Sequence, residues 1–196
     1  MIKLKRITVF CGARTGTDAV FIEQATALGK TLAKNDIELV YGGADLGLMG
    51  AVANGALSEN GKVIGVLPSF LQTREIAHQN LTELIIVKSM HERKTKMNEL
   101  CDGIVALPGG FGTLEELFEI LTWVQLGLQN KPIGILNIDG YFDSLIAFIQ
   151  TMVSKDFLRG VDENLLIVSD NIDDLLSKMK NYSTPAIKNI MNNDLT

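Results

Sequence analysis

The chain has 196 residues, 46% of them hydrophobic, enough for one packed α/β domain, which excludes a disordered or collagen-like chain. Its net charge of −5 lacks the basic excess of a general nucleic-acid binder, so small ligands are the expected partners. The two cysteines, Cys11 and Cys101, form neither a secreted disulfide framework nor a CxxC pair and point to a reducing cytoplasm.

The first apolar run is too short for the core of a signal peptide, and no uncharged stretch reaches the roughly 20 apolar residues of a membrane span. Apolar runs of strand length fall at 7–11, 37–41, 63–67, 84–87, 104–107, 133–138 and 165–168. Most lack polar alternation, so both faces are expected to be buried, and the stretches between them have room for crossover helices, predicted at 18–34, 47–60, 89–101, 113–125, 141–154 and 171–180. This pattern predicts an α/β fold: a doubly wound, mostly parallel sheet with helices on both faces. One domain is expected over 1–180, followed by an Asn-rich tail at 181–196.

Three glycine-bearing turns directly follow predicted strands: Cys11-Gly-Ala-Arg-Thr-Gly16, Tyr41-Gly-Gly-Ala-Asp-Leu-Gly-Leu-Met-Gly50 and Leu107-Pro-Gly-Gly-Phe-Gly-Thr-Leu-Glu-Glu116. In an open parallel sheet all three lie beyond the carboxyl ends of the strands, where ligands bind. A single such turn is only a tight connection, whereas three that converge indicate a site. None is a GxxxxGK[ST] loop, and the turn after the first strand lacks GxGxxG, which argues against a P-loop nucleotidase or an ordinary dinucleotide enzyme. Gly110-Phe-Gly112 starts like a dinucleotide turn, but Glu115 stands at the third glycine position and would repel a pyrophosphate. What remains is a helix start at Thr113 whose free N–H groups and positive dipole end suit one phosphate.

Thr113-Leu-Glu-Glu116 also reads as a capping box. Helical spacing puts Glu115, Glu119 and Thr122 on one polar face and Glu116 beside Ile120 and Trp123. Glu116 is thus the inward carboxylate, expected to have a raised pKa and to carry protons near neutral pH. Ser89-Met-His-Glu92 is a second capping pattern, crowded by Lys88, Arg93, Lys94 and Lys96. Exposed cations in a first turn oppose the helix dipole by roughly 0.3–1 kcal/mol each. The run is either a solvated basic face or an anion site; the acidity of the whole chain favours the anion, with Arg93 as its planar, permanently charged contact.

His78 and His91 lack the frame of a metal set and read as surface or loop residues, so no metal is expected. Met90, Met97 and Cys101 share a helical spacing that reads as core, with Met90 or Met97 able to flank a base. No GxSxG elbow or Cys–His pairing supplies a covalent nucleophile. The helix from Thr113 carries two apolar stripes and little polar surface, which suggests a dimer interface.

Pro108-Gly-Gly-Phe-Gly-Thr-Leu-Glu-Glu116 fits PGGxGTxxE in full, and Met90-His-Glu-Arg-Lys94 with Met97 stands upstream of it. With Val9-Phe-Cys-Gly12, Gly42-Gly43 before Gly47-Leu-Met-Gly50, and Arg74-Glu-Ile-Ala-His78, the chain resembles the Lonely guy (LOG) family of cytokinin riboside 5′-monophosphate phosphoribohydrolases over residues 5–180. Many of that family's members carried a lysine decarboxylase label. The resemblance implies a Rossmann-like homodimer, with no cofactor, that hydrolyses the N-glycosidic bond of an N6-substituted AMP to free base and ribose 5-phosphate. It makes Arg93 and Glu116 the catalytic pair. It assigns nucleotide binding to Gly109, Gly110, Phe111, Gly112 and Thr113 with help from Lys94, and to Glu75, Thr122, Gly12, Ala13 and Gly43. Ala13 departs from the serine of many relatives.

The chemistry is compatible. Breaking a ribosyl C–N bond builds positive charge on the sugar and negative charge on the base, so a carboxylate and a cationic donor both help. A decarboxylase would need a Schiff-base lysine in a cofactor pocket, and no lysine has a recognisable setting of that kind. A capping-only Glu116 would instead favour a nucleotide or cofactor carrier on the same fold.

Overall fold

The computed structural model describes residues 2–72 and 77–183. Strands β1 (Arg6–Phe10), β2 (Glu38–Tyr41), β3 (Val63–Pro68), β4 (Glu83–Val87), β5 (Gly103–Ala106), β6 (Ile133–Leu136) and β7 (Leu166–Ser169) form one sheet in the order β4-β3-β2-β1-β5-β6-β7. Every pairing between these strands is parallel, so the expected mostly parallel sheet is all-parallel, with one isolated antiparallel bridge, Ala44 to Ala77, outside it. Each of the seven predicted strands is present to within a residue or two.

The apolar runs are continuous because successive side chains enter two different cores. In β1, Ile7 and Val9 pack on one side and Phe10 on the other; in β2, Leu39 and Tyr41 oppose Val40. Helices α1 (Ala19–Lys34), α2 (Gly47–Ser58) and α7 (Ile172–Lys180) cover the first face. Helices α3 (Met90–Leu100), α4 (Phe111–Gln125) and α5 (Asp143–Ser154) cover the second.

A single turn, α6 (Gly160–Glu163), went unforeseen because so short a helix has no period to read. It is tied to α4 by Asp162, which accepts two bonds from Arg159 (2.8 and 2.7 Å) and one from Gln125 (3.0 Å). Helix ends follow one chemistry: Asp36, Asn60 and Asp156, just past α1, α2 and α5, adopt the left-handed conformation, as Gly127 does after α4. Helices α1 and α2 pack backbone to backbone. A Cβ at Gly29 would overlap the Val52 carbonyl, and one at Gly55 the Thr26 carbonyl.

From β1 the chain builds outward through β2, β3 and β4 in one direction and, later, through β5, β6 and β7 in the other. The reversal leaves a crevice over the carboxyl ends of β1 and β5, the switch point where ligands bind in such sheets. The tail expected at 181–196 lies outside the described residues from 184 onward.

Candidate active site

The loops after β1 and β5 meet at this crevice through glycine. Gly12 donates its N–H to the Pro108 carbonyl (3.0 Å), and its own carbonyl accepts from Leu48 at the start of α2 (3.0 Å). A Cβ at Gly12 would come within 3.2 Å of the Gly109 Cα, and one at Gly109 would overlap the Thr113 hydroxyl. Above these loops lies a cavity of about 540 Å³. Its lining includes Gly12, Ala13, Gly109, Gly110, Gly112, Thr113, Arg93 and Glu116.

Helix α4 begins at Phe111, two residues earlier than predicted, with Gly110 as its N-cap. Gly110 has no side chain to cap the first turn, so the capping box expected at Thr113 does not form. Thr113 is inside the helix and buried against Gly109. A Cβ at Gly110 or Gly112 would meet nothing within 4 Å, so this helix start opens onto free space. One turn later Glu116 is buried beside Leu117 and Ile120 and faces the cavity, as its spacing predicted.

Arg93 comes from the opposite helix and is 6% exposed. Its Nη2 donates to the Gly42 carbonyl at 3.1 Å, Nη1 approaches the Met90 sulfur at 3.8 Å, and buried Nε has no hydrogen-bond partner among the described residues. The guanidinium lies so close over Gly42 that any Cβ there would overlap Nη2. Arg93 and Glu116, from separate helices, therefore line one cavity. Cys11, on its floor, registers both charges: burial pushes its thiol well above the usual range, Glu116 pushes it further and Arg93 opposes. Such a thiol is protonated and is no nucleophile.

Two cations of the basic run at α3, Lys94 and Lys96, find carboxylate partners within the protein. Ser89 accepts the Glu92 N–H (3.1 Å), and Glu92 accepts the Lys88 N–H (2.7 Å), so this helix start is capped. Lys94 pairs with Glu115 (2.5 Å) and Glu119 (2.9 Å) on α4. Burial works against the Lys94 charge, but the two carboxylates outweigh it and raise its pKa.

Several expected contacts lie elsewhere. Lys94 does not line the cavity, because one residue of helix turns it away from Arg93. Phe111 is 94% exposed and Gly43 faces Leu67 and Leu84. Thr122 sits beside a smaller groove between α4, α5 and α6. Glu75 lies outside the described residues. His78, read as a surface or loop residue, lies in a loop but is buried: Nδ1 accepts the Asn80 N–H (3.2 Å) and Nε2 meets the Asn54 amide oxygen (3.0 Å). Met97 and Cys101 are core as predicted, while Met90 is partly exposed at the cavity.

The cavity also recruits Arg14 and Thr15 from the first glycine-bearing turn, together with Phe21 and Tyr141, which the sequence did not single out. Tyr141 donates its hydroxyl to the Gly109 carbonyl at 2.6 Å. Among the described residues no group of three or more His, Cys, Asp or Glu could hold a metal.

Residues 49–179 match the family described as "Possible lysine decarboxylase". The chain is 42% identical over 183 residues to "Probable cytokinin riboside 5'-monophosphate phosphoribohydrolase LOGL5" of Oryza sativa subsp. japonica, covering 93% of this chain and 74% of that protein. It is 41% identical over 180 residues to cytokinin riboside 5'-monophosphate phosphoribohydrolase LOG1 of Arabidopsis thaliana, covering 92% and 84%. Among solved structures, the molybdenum cofactor binding protein of Rippkaea orientalis superposes with a TM-score of 0.69 at 22% identity, over 92% of this chain and 98% of that one. That likeness shows a shared fold. The long alignments at about two-fifths identity show more: the chain belongs to the LOG family of cytokinin riboside 5′-monophosphate phosphoribohydrolases.

Proposed function

We propose that this protein hydrolyses the N-glycosidic bond of adenosine 5′-monophosphate or an N6-substituted form of it, releasing the free base and ribose 5-phosphate. The observation that carries this reading is a single cavity lined by a buried guanidinium, a buried carboxylate and an uncapped helix start. The N–H groups at the start of α4 take the 5′-phosphate. The ribose then lies between Arg93 and Glu116, and the base lies against the apolar wall of Met49, Met90 and Met97. Glu116 stabilises the ribosyl cation and activates water, while Arg93 orients the nucleotide and eases departure of the base.

A decarboxylase has less support, because no lysine among the described residues lines this cavity. A non-hydrolytic carrier on the same fold is favoured by no specific observation; the likeness to cofactor-binding proteins is one of fold. The apolar residues Leu126 and Leu128 are exposed past the end of α4, and Leu114 and Leu121 are only partly covered, which supports a homodimer built on this helix. Among the described residues no helix is long and apolar enough to cross a membrane.

The test is a panel of nucleoside 5′-monophosphates, with the matching nucleosides as phosphate-free controls, scored for released base. Base release from AMP or an N6-substituted AMP, and none from the nucleosides, is the expected outcome. Tight nucleotide binding without products would replace the hydrolase with the carrier.

A further inference from the structure

We propose that Tyr141 is a positioning residue of the phosphate cradle: its hydroxyl fixes the peptide between Gly109 and Gly110, and with it the direction of the Gly110 N–H. This inference rests on the cradle assigned above and adds a residue to it that neither motif contains.

The tyrosine is held from several sides. Beyond β6, Asn137 accepts the Phe142 N–H (2.8 Å) and donates to the Asp143 carboxylate (2.7 Å), closing a short turn. Asp139 and Gly140 take positive φ angles of 51° and 68°, and the Tyr141 N–H donates to the Ile138 carbonyl (3.0 Å). The ring then stands edge-on to Phe21 of α1 and to Phe142, with centroids 5.9 and 5.0 Å apart. From this mount the hydroxyl reaches the Gly109 carbonyl at 2.6 Å, a short bond for an O–H donor.

The segment it reaches has little stiffness of its own. Three of the four residues from Gly109 to Gly112 are glycine, and a peptide flanked by two glycines turns over with little steric resistance. A side chain cannot supply the stiffness at Gly109, where a Cβ would overlap the Thr113 hydroxyl and lie 2.8 Å from the Gly12 nitrogen. Gly110 has nothing within 4 Å of its Cβ position, so no packing holds it either. The peptide is trans and planar, which sets its C=O and N–H in opposite directions. Fixing the Gly109 carbonyl therefore fixes the Gly110 N–H, one of the donors offered to the phosphate. A donor aimed before the ligand arrives need not be ordered on binding.

The test is Tyr141→Phe, which keeps the ring contacts and removes only the hydroxyl. Calorimetric titration with ribose 5-phosphate should show about tenfold weaker binding, the size of one lost hydrogen bond's contribution. Adenine affinity should be unchanged, and the KM for AMP should rise more than kcat falls. Unaltered ribose 5-phosphate affinity in the variant overturns the proposal, even if thermal stability drops. An equal loss of adenine affinity also overturns it, by making Tyr141 a contact of the base. If the unsubstituted protein binds adenine but not ribose 5-phosphate, the cradle itself is wrong and this proposal falls with it; binding that survives Tyr141→Phe removes the proposal alone.

Discussion

The starts of α3 and α4 carry the same kind of sequence, Ser89-Met-His-Glu92 and Thr113-Leu-Glu-Glu116, and the structure treats them in opposite ways. At α3 the serine and glutamate engage the backbone, and the helix start is closed by its own side chains. At α4 the helix begins two residues before the threonine, on a glycine that has nothing to offer the first turn. A closed start is a platform for a side chain, and α3 uses it to hold Arg93. An open start is itself a binding element, and α4 keeps its backbone donors free while presenting Glu116 one turn later.

This division of labour can be broken from either side. The largest effect is expected for Glu116→Gln, which keeps the shape of α4 and removes the carboxylate that the proposed reaction sets against the ribose. Turnover of AMP should fall by about 10²–10⁴-fold, the usual range for a positioned acid or base, with ribose 5-phosphate affinity retained. Near-normal turnover would remove Glu116 from the chemistry. Gly42→Ala acts on the other helix's contribution with no substitution in α3, because the added methyl would overlap the Arg93 guanidinium and crowd the Met49 sulfur. Displacing a catalytic group by about an ångström costs on the order of 10²-fold, so base release should drop by about that factor while calorimetry finds the phosphate site intact.

Gly110→Ser sharpens the comparison by making α4 resemble α3. The space around Gly110 is open and its φ of −93° suits any residue, so the serine fits and can cap the first turn. Thermal unfolding should show stability unchanged or higher by a few tenths of a kcal/mol, whereas ribose 5-phosphate should bind about tenfold more weakly. Stability and binding moving together would contradict the open-start reading. The smallest effect is expected for Ser89→Ala, which opens α3. It should cost about 1 kcal/mol in denaturant unfolding and leave ribose 5-phosphate affinity as it was.

The sheet was legible because its central strands and β6 are buried on both faces and so read as unbroken apolar runs, and even the exposed edge strand β4 keeps an apolar run. Glu116 and Arg93 were legible for different reasons, one from its helical spacing and the other from its cationic neighbourhood and family motif. The misplacements share a physical cause, since residues adjacent in sequence point in different directions. Arg93 enters the cavity and Lys94 turns to Glu115 and Glu119; Gly42 lies under the guanidinium while Gly43 serves the turn. Phe111 projects outward from between two glycines that face the ligand space. The start of α4 was misread because a threonine three residues before a glutamate announces a cap, whereas a glycine announces nothing. Tyr141 had no local signal at all: its partner Gly109 is 32 residues away, and only the placement of β6 beside β5 brings them together.

The seam between α1 and α2 extends the sensitive region of this molecule well beyond its ligand. Gly29 and Gly55 lie on the rear of those helices, yet the β1 and β2 turns run directly into their front ends. A methyl added at either glycine would wedge the helices apart and tilt both turns, shifting the backbone under Arg93 and beside Gly109. Substitutions outside the cavity would then mimic damage within it, and a mutational survey scored by activity alone would mistake this helix seam for part of the site.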